Sequence, residues 1–323
     1  MSIDYKFAPI KDYKVPVVDA LEALRKKSIA EKESFKARAY QTVITQIKAM
    51  DSFRAQDIVL LKGAGEKITA KIKEIIETGS LQSAEAAKRD YNLVAIDTLK
   101  DIYGVGPVKA QALVQQGITS IQELREAVED GSVTLNDKQL VGLKYYEPLL
   151  ERIPRDEMLE HEEMLLDKLG EVNRCLQGDV VGSFRRGGET SGDIDFLIRG
   201  NIDMDEYLQT LGEEGYICEI LAKGKNKCMA IVSLGTPRRL DILVTPDVEY
   251  AYAMLYFTGS QAFNIAFRQH ALQQGYTLNE HGMKPTGNGK SAPYMSTEKD
   301  IFDFLGIQYI EPTARSNGRV IAK

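Results

Sequence analysis

Gly182-Ser183-Phe184-Arg185-Arg186-Gly187, followed by Gly192-Asp193-Ile194-Asp195, decides the reading of this sequence. A glycine-rich turn carrying a serine and arginines offers N–H groups, a hydroxyl and guanidinium to phosphate oxygens. Downstream, Asp193 and Asp195 stand at i and i+2, which in a strand puts both carboxylates on one face. Carboxylates so close repel unless cations lie between them, and hard divalent cations such as Mg²⁺ favour oxygen ligands. Cradle and acidic pair together point to metal-assisted nucleotidyl transfer. The plainer alternative is a tight turn running into an amphipathic strand with two exposed aspartates. The spacing of cradle and acids argues against it.

Composition sets the frame. The chain has 323 residues, 43% hydrophobic and 27% charged, which is ordinary for a globular protein of two to four domains. Its longest clean apolar run, Ala251 to Phe257, is far short of the ~20 residues of a membrane span. No charged-then-apolar leader opens the sequence. An intracellular setting without a membrane partner is therefore expected, with nothing to choose between nucleus and cytoplasm. Cys175, Cys218 and Cys228, like His161, His270 and His281, lack metal-ligand or redox spacing. Net charge is −6, yet residues 1–90 hold 17 basic against 13 acidic side chains, a net of +4. Any grip on nucleic acid should be local and amino-terminal.

Apolar positions recur with helical spacing from Pro16 onward, at Val17, Leu21 and Leu24 and again at Tyr40, Ile44 and Ile47. Two segments 41 residues apart share one pattern. Gly63-Ala64-Gly65 and Gly104-Val105-Gly106 each follow apolar residues and precede a helix. The glycines permit a sharp turn close to a partner, and the next helix's free N–H groups suit a phosphate. This is the helix-hairpin-helix pattern, a sequence-independent grip on the DNA backbone.

A further helix is predicted from Asp156 to Leu169. Strands are predicted at Ile194–Ile198, Lys227–Leu234 and Arg238–Val244, the last two joined by a hairpin at Gly235-Thr236-Pro237. Helices are predicted at Gln261–Gln274 and Lys299–Leu305. A third carboxylate is needed to hold two metals ~3.5–4 Å apart, and Asp241 supplies it if its strand pairs beside Asp193 and Asp195. Tyr256-Phe257-Thr258-Gly259-Ser260 sets two aromatics before a glycine that lets backbone approach a ligand. Lys67 and Lys71 share a helix face at i, i+4. A Schiff-base nucleophile needs a neutral amine, which a neighbouring cation and partial burial favour.

On these motifs, with Arg152-Ile153-Pro154-Arg155, Arg238-Arg239-Leu240-Asp241 and Glu298-Lys299-Asp300-Ile301-Phe302-Asp303, the chain resembles the family X DNA polymerases, nearest their beta branch. The resemblance runs from about residue 20 to 312. It implies an α+β multidomain fold. A flexible arm over 1–15 precedes an all-helical, lyase-like domain over 16–90 with the first hairpin. A helical DNA-binding subdomain follows over 91–150 with the second. A nucleotidyltransferase palm with a mixed β-sheet spans 151–258, and a small α/β subdomain binding the nascent base pair spans 259–323.

It also implies roles. Asp193, Asp195 and Asp241 would hold two Mg²⁺, with Mn²⁺ able to substitute. Asp241 would help activate the primer 3′-hydroxyl, with Arg239 nearby. Arg152, Ser183, Arg186 and Gly192 would bind the triphosphate of a deoxynucleoside triphosphate. Tyr256, Phe257 and Gly259 would line its sugar, Tyr256 as the gate against ribonucleotides. Asn264 would reach the base edge and Arg268 the template minor groove. Lys223, Lys225 and Lys227 resemble a basic strand that follows the template. Gly63, Gly65, Gly104, Gly106 and Lys109 would grip DNA, with a monovalent cation at the hairpins. Lys71 would be the lyase nucleophile, and Lys36, Tyr40 and Lys67 its 5′-phosphate pocket.

The expected activity is template-directed filling of short gaps in base-excision repair, with a 5′-deoxyribose phosphate lyase, by a monomer acting on gapped or nicked duplex. The alternatives are template-independent terminal transfer, or an amino-terminal domain that only anchors the 5′-phosphate. Neither a breast-cancer-type repair module nor a proofreading exonuclease is expected. Three departures stand out: Lys62 and Ala64 in the first hairpin, Ser83 where a helper lysine is usual, and Leu243 where an arginine takes part in opening and closing.

Overall fold

The computed structural model describes residues 12–31, 33–88, 90–287 and 290–318; residues 1–11 of the expected arm lie outside them. The chain divides into two compact units, 1–143 and 144–323.

The first unit is helical throughout its described residues. Helices α1 (Lys14–Ala30) and α2 (Ser34–Ala49) pack with α3 (Glu66–Thr78) and α4 (Gln82–Lys88) around Val17, Leu21, Ile44, Ile47, Phe53 and Ile72. Helix α1 starts two residues before the periodic run, because Pro16 falls in its first turn, where a missing N–H costs nothing. Helix α3 stops at Gly79, whose φ of +82° suits a left-handed cap. Beyond it come α5 (Tyr91–Lys100), α6 (Pro107–Gln115), α7 (Ile121–Glu129) and α8 (Asp137–Lys144). Pro107 opens α6, and Ser120 caps α7 in a reciprocal box with Glu123.

The second unit is built on a mixed sheet, so the protein is α+β. After α9 (Tyr146–Leu150), the short strand β1 (Ile153–Pro154) and α10 (Arg155–Val172) lead to β2 (Gln177–Val180). The cradle follows as one helical turn, α11 (Gly182–Arg185), then β3 (Thr190–Ser191), β4 (Ile194–Arg199) and α12 (Met204–Glu213). Strands β5 (Ile217–Lys223), β6 (Lys227–Ser233) and β7 (Pro237–Thr245) complete a five-stranded sheet of order β2-β4-β7-β6-β5. Its centre, β4 beside β7, is parallel; the other pairs are antiparallel.

Alternation along β4 sends Phe196 and Ile198 into a core with Leu165 and Leu169 of α10 and Tyr207 and Leu211 of α12. Leu197 on the opposite face packs under Tyr250, Ala253 and Met254 of α13 (Tyr250–Thr258). That helix absorbs the apolar run at Ala251–Phe257. A separate core, centred on Phe263, Phe267 and Phe302, joins α14 (Gln261–Gln273), the hairpin β8 (Tyr276–Asn279) and β9 (Gly282–Pro285), and α15 (Glu298–Phe304).

Candidate active site

The parallel pairing of β4 with β7 sets Asp195 directly opposite Asp241. Asp193 lies one residue before β4, beside Arg239, and its carboxylate accepts from the Arg239 guanidinium. Three carboxylates and one arginine thus share a face. Burial, then repulsion from Asp193 and Asp241, pushes the Asp195 carboxyl up to about 7. Burial also raises Asp241, against the pull of Arg239 and Lys227. Its Oδ1 is buried with no hydrogen-bond partner.

Among the described residues no three His, Cys, Asp or Glu side chains converge in a ready-made metal cage. Asp193 is engaged by Arg239, yet it is still close enough to raise Asp195 by repulsion. The donor set still suits hard cations: oxygen ligands only, one orphaned buried oxygen, and one carboxyl whose pKa burial and then like charge raise to about 7.

Gly182, at φ +60°, adopts a backbone that favours glycine, and a Cβ there would overlap the Asp195 carboxylate. The cradle and Asp195 are therefore in contact. Ser183 Oγ donates to Ser191 Oγ at 3.0 Å. The two-residue ladder of β1 with β3 brings Arg152 alongside, where it donates to the Thr190 carbonyl at 2.7 Å. A Cβ at Gly192 would come within 3.2 Å of the Arg152 guanidinium. Arg155 donates to the carbonyls of Phe184 (3.0 Å) and Gly188 (3.2 Å), fixing the turn from behind.

Arg152, Gly182, Ser183 and Gly192 line one cleft of about 620 Å³, with Arg186, Asp193, Asp195, Tyr256, Phe257, Gly259, Asn264 and Arg268. Arg186 donates to the Thr258 carbonyl at 2.6 Å, and Gly259, at φ +64°, leaves room for its guanidinium. Tyr256 and Phe257 sit at the end of α13, edge to face with centroids 5.0 Å apart. Asn264 donates to the Tyr256 carbonyl at 2.7 Å. The Arg268 guanidinium lies 4.7 Å from the centre of the Tyr256 ring and 3.6 Å from Glu280.

Sequence reasoning missed what ties the cradle to the carboxy-terminal segment. Arg185 donates to Thr258 Oγ1 at 2.6 Å and to Glu298 at 2.7 Å. Glu298 also accepts from Arg315 at 2.5 Å. Arg315 is fully buried among the rings of Phe263, Phe302 and Tyr309. No local pattern announces an arginine caged so far from its partners in sequence.

Lys223, Lys225 and Lys227 do not lie along one strand. Lys223 ends β5, Lys225 is in the turn and Lys227 opens β6. Gly224 donates to the Lys227 carbonyl at 2.8 Å, which closes that turn. Lys223 is engaged by Asp205.

In the first unit, Lys71 is half-buried, with Nζ 3.3 Å from Ser83 Oγ, and Lys67 is exposed on the same helix. Lys36 pairs with Glu33 at 2.7 Å, and Tyr40 is buried one turn further along α2. Gly63 and Gly104 take φ of +79° and +83°, while Gly65 and Gly106 are extended caps of α3 and α6. The two hairpins are thus alike in backbone. Lys109 donates to the Thr134 carbonyl at 3.1 Å. No described helix is long and apolar enough to cross a membrane.

Comparison with known proteins covers most of the chain. Family models match as "Helix-hairpin-helix domain" at 13–81 and "Fingers domain of DNA polymerase lambda" at 97–150. "DNA polymerase beta palm" matches at 152–247 and "DNA polymerase beta thumb" at 253–316. The chain is 30% identical to DNA polymerase lambda of Rattus norvegicus over 331 residues, 94% of this chain and 56% of that protein. It is 30% identical to DNA polymerase lambda of Arabidopsis thaliana over 303 residues, 84% and 55% respectively. It is 27% identical to the DNA polymerase type-X family protein pol4 of Schizosaccharomyces pombe, over 96% of this chain and 66% of that one. The chain spans a little over half the length of the two lambda relatives.

Proposed function

The chain belongs to the family X DNA polymerases, and from that premise we propose that it is a template-directed DNA polymerase filling short gaps in base-excision repair. The observation that supports this best is Asp195 opposite Asp241, with Gly182 of the cradle against the Asp195 carboxylate in the cleft. Its substrates are deoxynucleoside triphosphates and gapped or nicked duplex, and it acts inside the cell as a monomer. Its working parts are the lyase-like region 16–90, the DNA-binding region 91–150, the palm 151–258 and the base-pair-binding region 259–323.

Asp193, Asp195 and Asp241 would hold two Mg²⁺, or Mn²⁺ in their place, whose charge would offset that developing on the transferred phosphoryl group. Arg152, Ser183, Arg186 and the Gly192 backbone orient the triphosphate. Asp241 orients the primer 3′-hydroxyl for in-line attack on the α-phosphate and takes up its proton. The new P–O bond forms as the bond to the β-phosphate's bridging oxygen breaks, and pyrophosphate leaves. Such catalysis is positioning and charge stabilisation. Arg239, which donates to Asp193, would release that carboxylate to a bound Mg²⁺. Tyr256, Phe257 and Gly259 read the sugar, Asn264 the base edge and Arg268 the template. Lys223, Lys225 and Lys227 follow the template from a hairpin turn. The hairpins at Gly63–Gly65 and Gly104–Gly106, with Lys109 and a monovalent cation, hold the DNA backbone.

We further assign a 5′-deoxyribose phosphate lyase to Lys71, with Lys36, Tyr40 and Lys67 at the phosphate. Half-burial of Lys71 beside Ser83 supports it. The competing reading is a domain that only anchors the 5′-phosphate. Terminal transfer is disfavoured by the Tyr256-Phe257 pair and the short Gly235 loop. Extension of a primer at a one-nucleotide gap, compared with the same primer lacking template, tests the proposal. Equal extension without template would favour the transferase.

A further inference from the structure

Each glycine hairpin of the first unit is held from behind by one glutamine. Gln46 of α2 makes a paired contact with the Lys62 backbone. It accepts from the Lys62 N–H at 2.8 Å and donates to the Lys62 carbonyl at 2.7 Å. Gln139 of α8 donates to the Gly104 carbonyl at 3.1 Å, while its Oε1 accepts from the Asn136 N–H at 3.1 Å. The two contacted carbonyls sit one residue apart in the repeated pattern. The backing helices also approach closely. A Cβ on Gly63 would lie 3.7 Å from Thr42 of α2, and one on Gly104 would lie 3.3 Å from the Gln139 nitrogen. A Cβ on Gly142 of α8 would overlap the Tyr103 carbonyl.

Peptides leading into a left-handed turn have no helical or strand ladder to satisfy them, so their orientation needs another source. A carboxamide offers donor and acceptor in one rigid plane, and at Lys62 it fixes the N–H of one peptide and the carbonyl of the next. Those peptides precede the helix terminus whose N–H groups are directed at a phosphate, so turning either re-aims those groups. We propose that Gln46 and Gln139 are positioning residues for the DNA grip. Each sets one hairpin so that its helix N-terminus meets a backbone phosphate. This rests on the reading that the hairpins hold DNA.

The test uses the full chain and a one-nucleotide-gapped duplex with a 5′-phosphate, with dissociation constants measured across a salt series. Gln46→Met keeps length and apolar stem but removes both hydrogen bonds. Its expected effect is about fivefold weaker binding, the scale of one lost hydrogen bond. The salt slope should stay near that of wild type, because a backbone N–H is uncharged and releases no counterion. Gln139→Met removes the donor to Gly104 without adding charge, and a similar loss of affinity is expected. Unchanged affinity in both variants overturns the proposal. So does weaker binding accompanied by a lowered melting temperature, because a loosened fold lowers affinity without any positioning role. Gly63→Val and Gly104→Val separate this from the underlying reading, since both strain the turns themselves. If these weaken binding and the glutamine variants do not, only the positioning role fails. If they too leave binding intact, the hairpins do not hold DNA.

Discussion

Asp195 of β4 and Asp241 of β7 are register partners in the parallel centre of the sheet, and both are substantially buried. Side chains on one face of adjacent strands stand within reach of each other, and like charges there destabilise. The structure carries this repulsion at the centre of its five-stranded sheet, with Arg239 as partial relief. Strain of that kind persists where a site needs it.

One consequence is a conflict between stability and activity. In chelator at pH 8 the Asp195 carboxyl is charged, since its pKa lies near 7. Asp195→Asn removes that buried charge and should raise the melting temperature by several degrees. Added Mg²⁺ should stabilise the wild type and not the variant. A variant that melts lower than wild type in chelator would show that repulsion is not the dominant cost.

Sugar discrimination should sit at Tyr256, which lines the cleft beside Gly259. Single-turnover insertion of matched deoxy- and ribonucleotides by Tyr256→Ala should show the preference for deoxynucleotides falling at least about tenfold, or about 1.4 kcal/mol. An unchanged ratio moves the gate to the local backbone.

Acid should loosen the second unit through His161. The ring is fully buried, with Nδ1 2.7 Å from the Tyr216 hydroxyl. Burial holds it below the ordinary value of 6.5, outweighing Glu157 at 3.6 Å, and Arg238 acts in the same direction as burial. A depressed folded pKa gives stability that is complete above 6.5 and is lost as pH falls from there through the folded value. His161→Gln should therefore flatten the stability profile below pH 6.5, by at most about 1.4 kcal/mol per pH unit. Parallel profiles for variant and wild type would exclude His161 as the responsive group.

Borohydride trapping on a pre-incised abasic site should yield a covalent protein–DNA adduct, lost in Lys71→Ala while gap filling survives. The amine adds to the sugar aldehyde at C1′ with loss of water, and the Schiff base precedes β-elimination. If wild type traps nothing, the domain only anchors the 5′-phosphate. If Lys71→Ala traps equally, Lys67 or Lys36 is the nucleophile.

Much of this geometry was legible in local pattern. The alternation through Ile194–Ile198 correctly separates core from site face, and Gly-x-Gly marks both turns, because one residue's requirement for positive φ is a local matter. Partner choice is not local. The pairing of β4 with β7 closes over an intervening helix and hairpin, and spacing alone left it conditional. The three lysines at 223, 225 and 227 imitate strand alternation, yet Gly224 and Asn226 between them were turn signals that outweigh it. The Arg185–Glu298–Arg315 chain joins residues far apart in sequence, where only packing decides.

The central claim is nucleotidyl transfer at the Asp195–Asp241 pair, and Asp241→Ala tests it most directly. The measurement is single-nucleotide insertion at a one-nucleotide gap in Mg²⁺, alongside the affinity of the same protein for the same gapped duplex. The account predicts that insertion is abolished while affinity stays within about twofold of wild type, because the DNA grip lies elsewhere. Near-normal insertion by Asp241→Ala would contradict it.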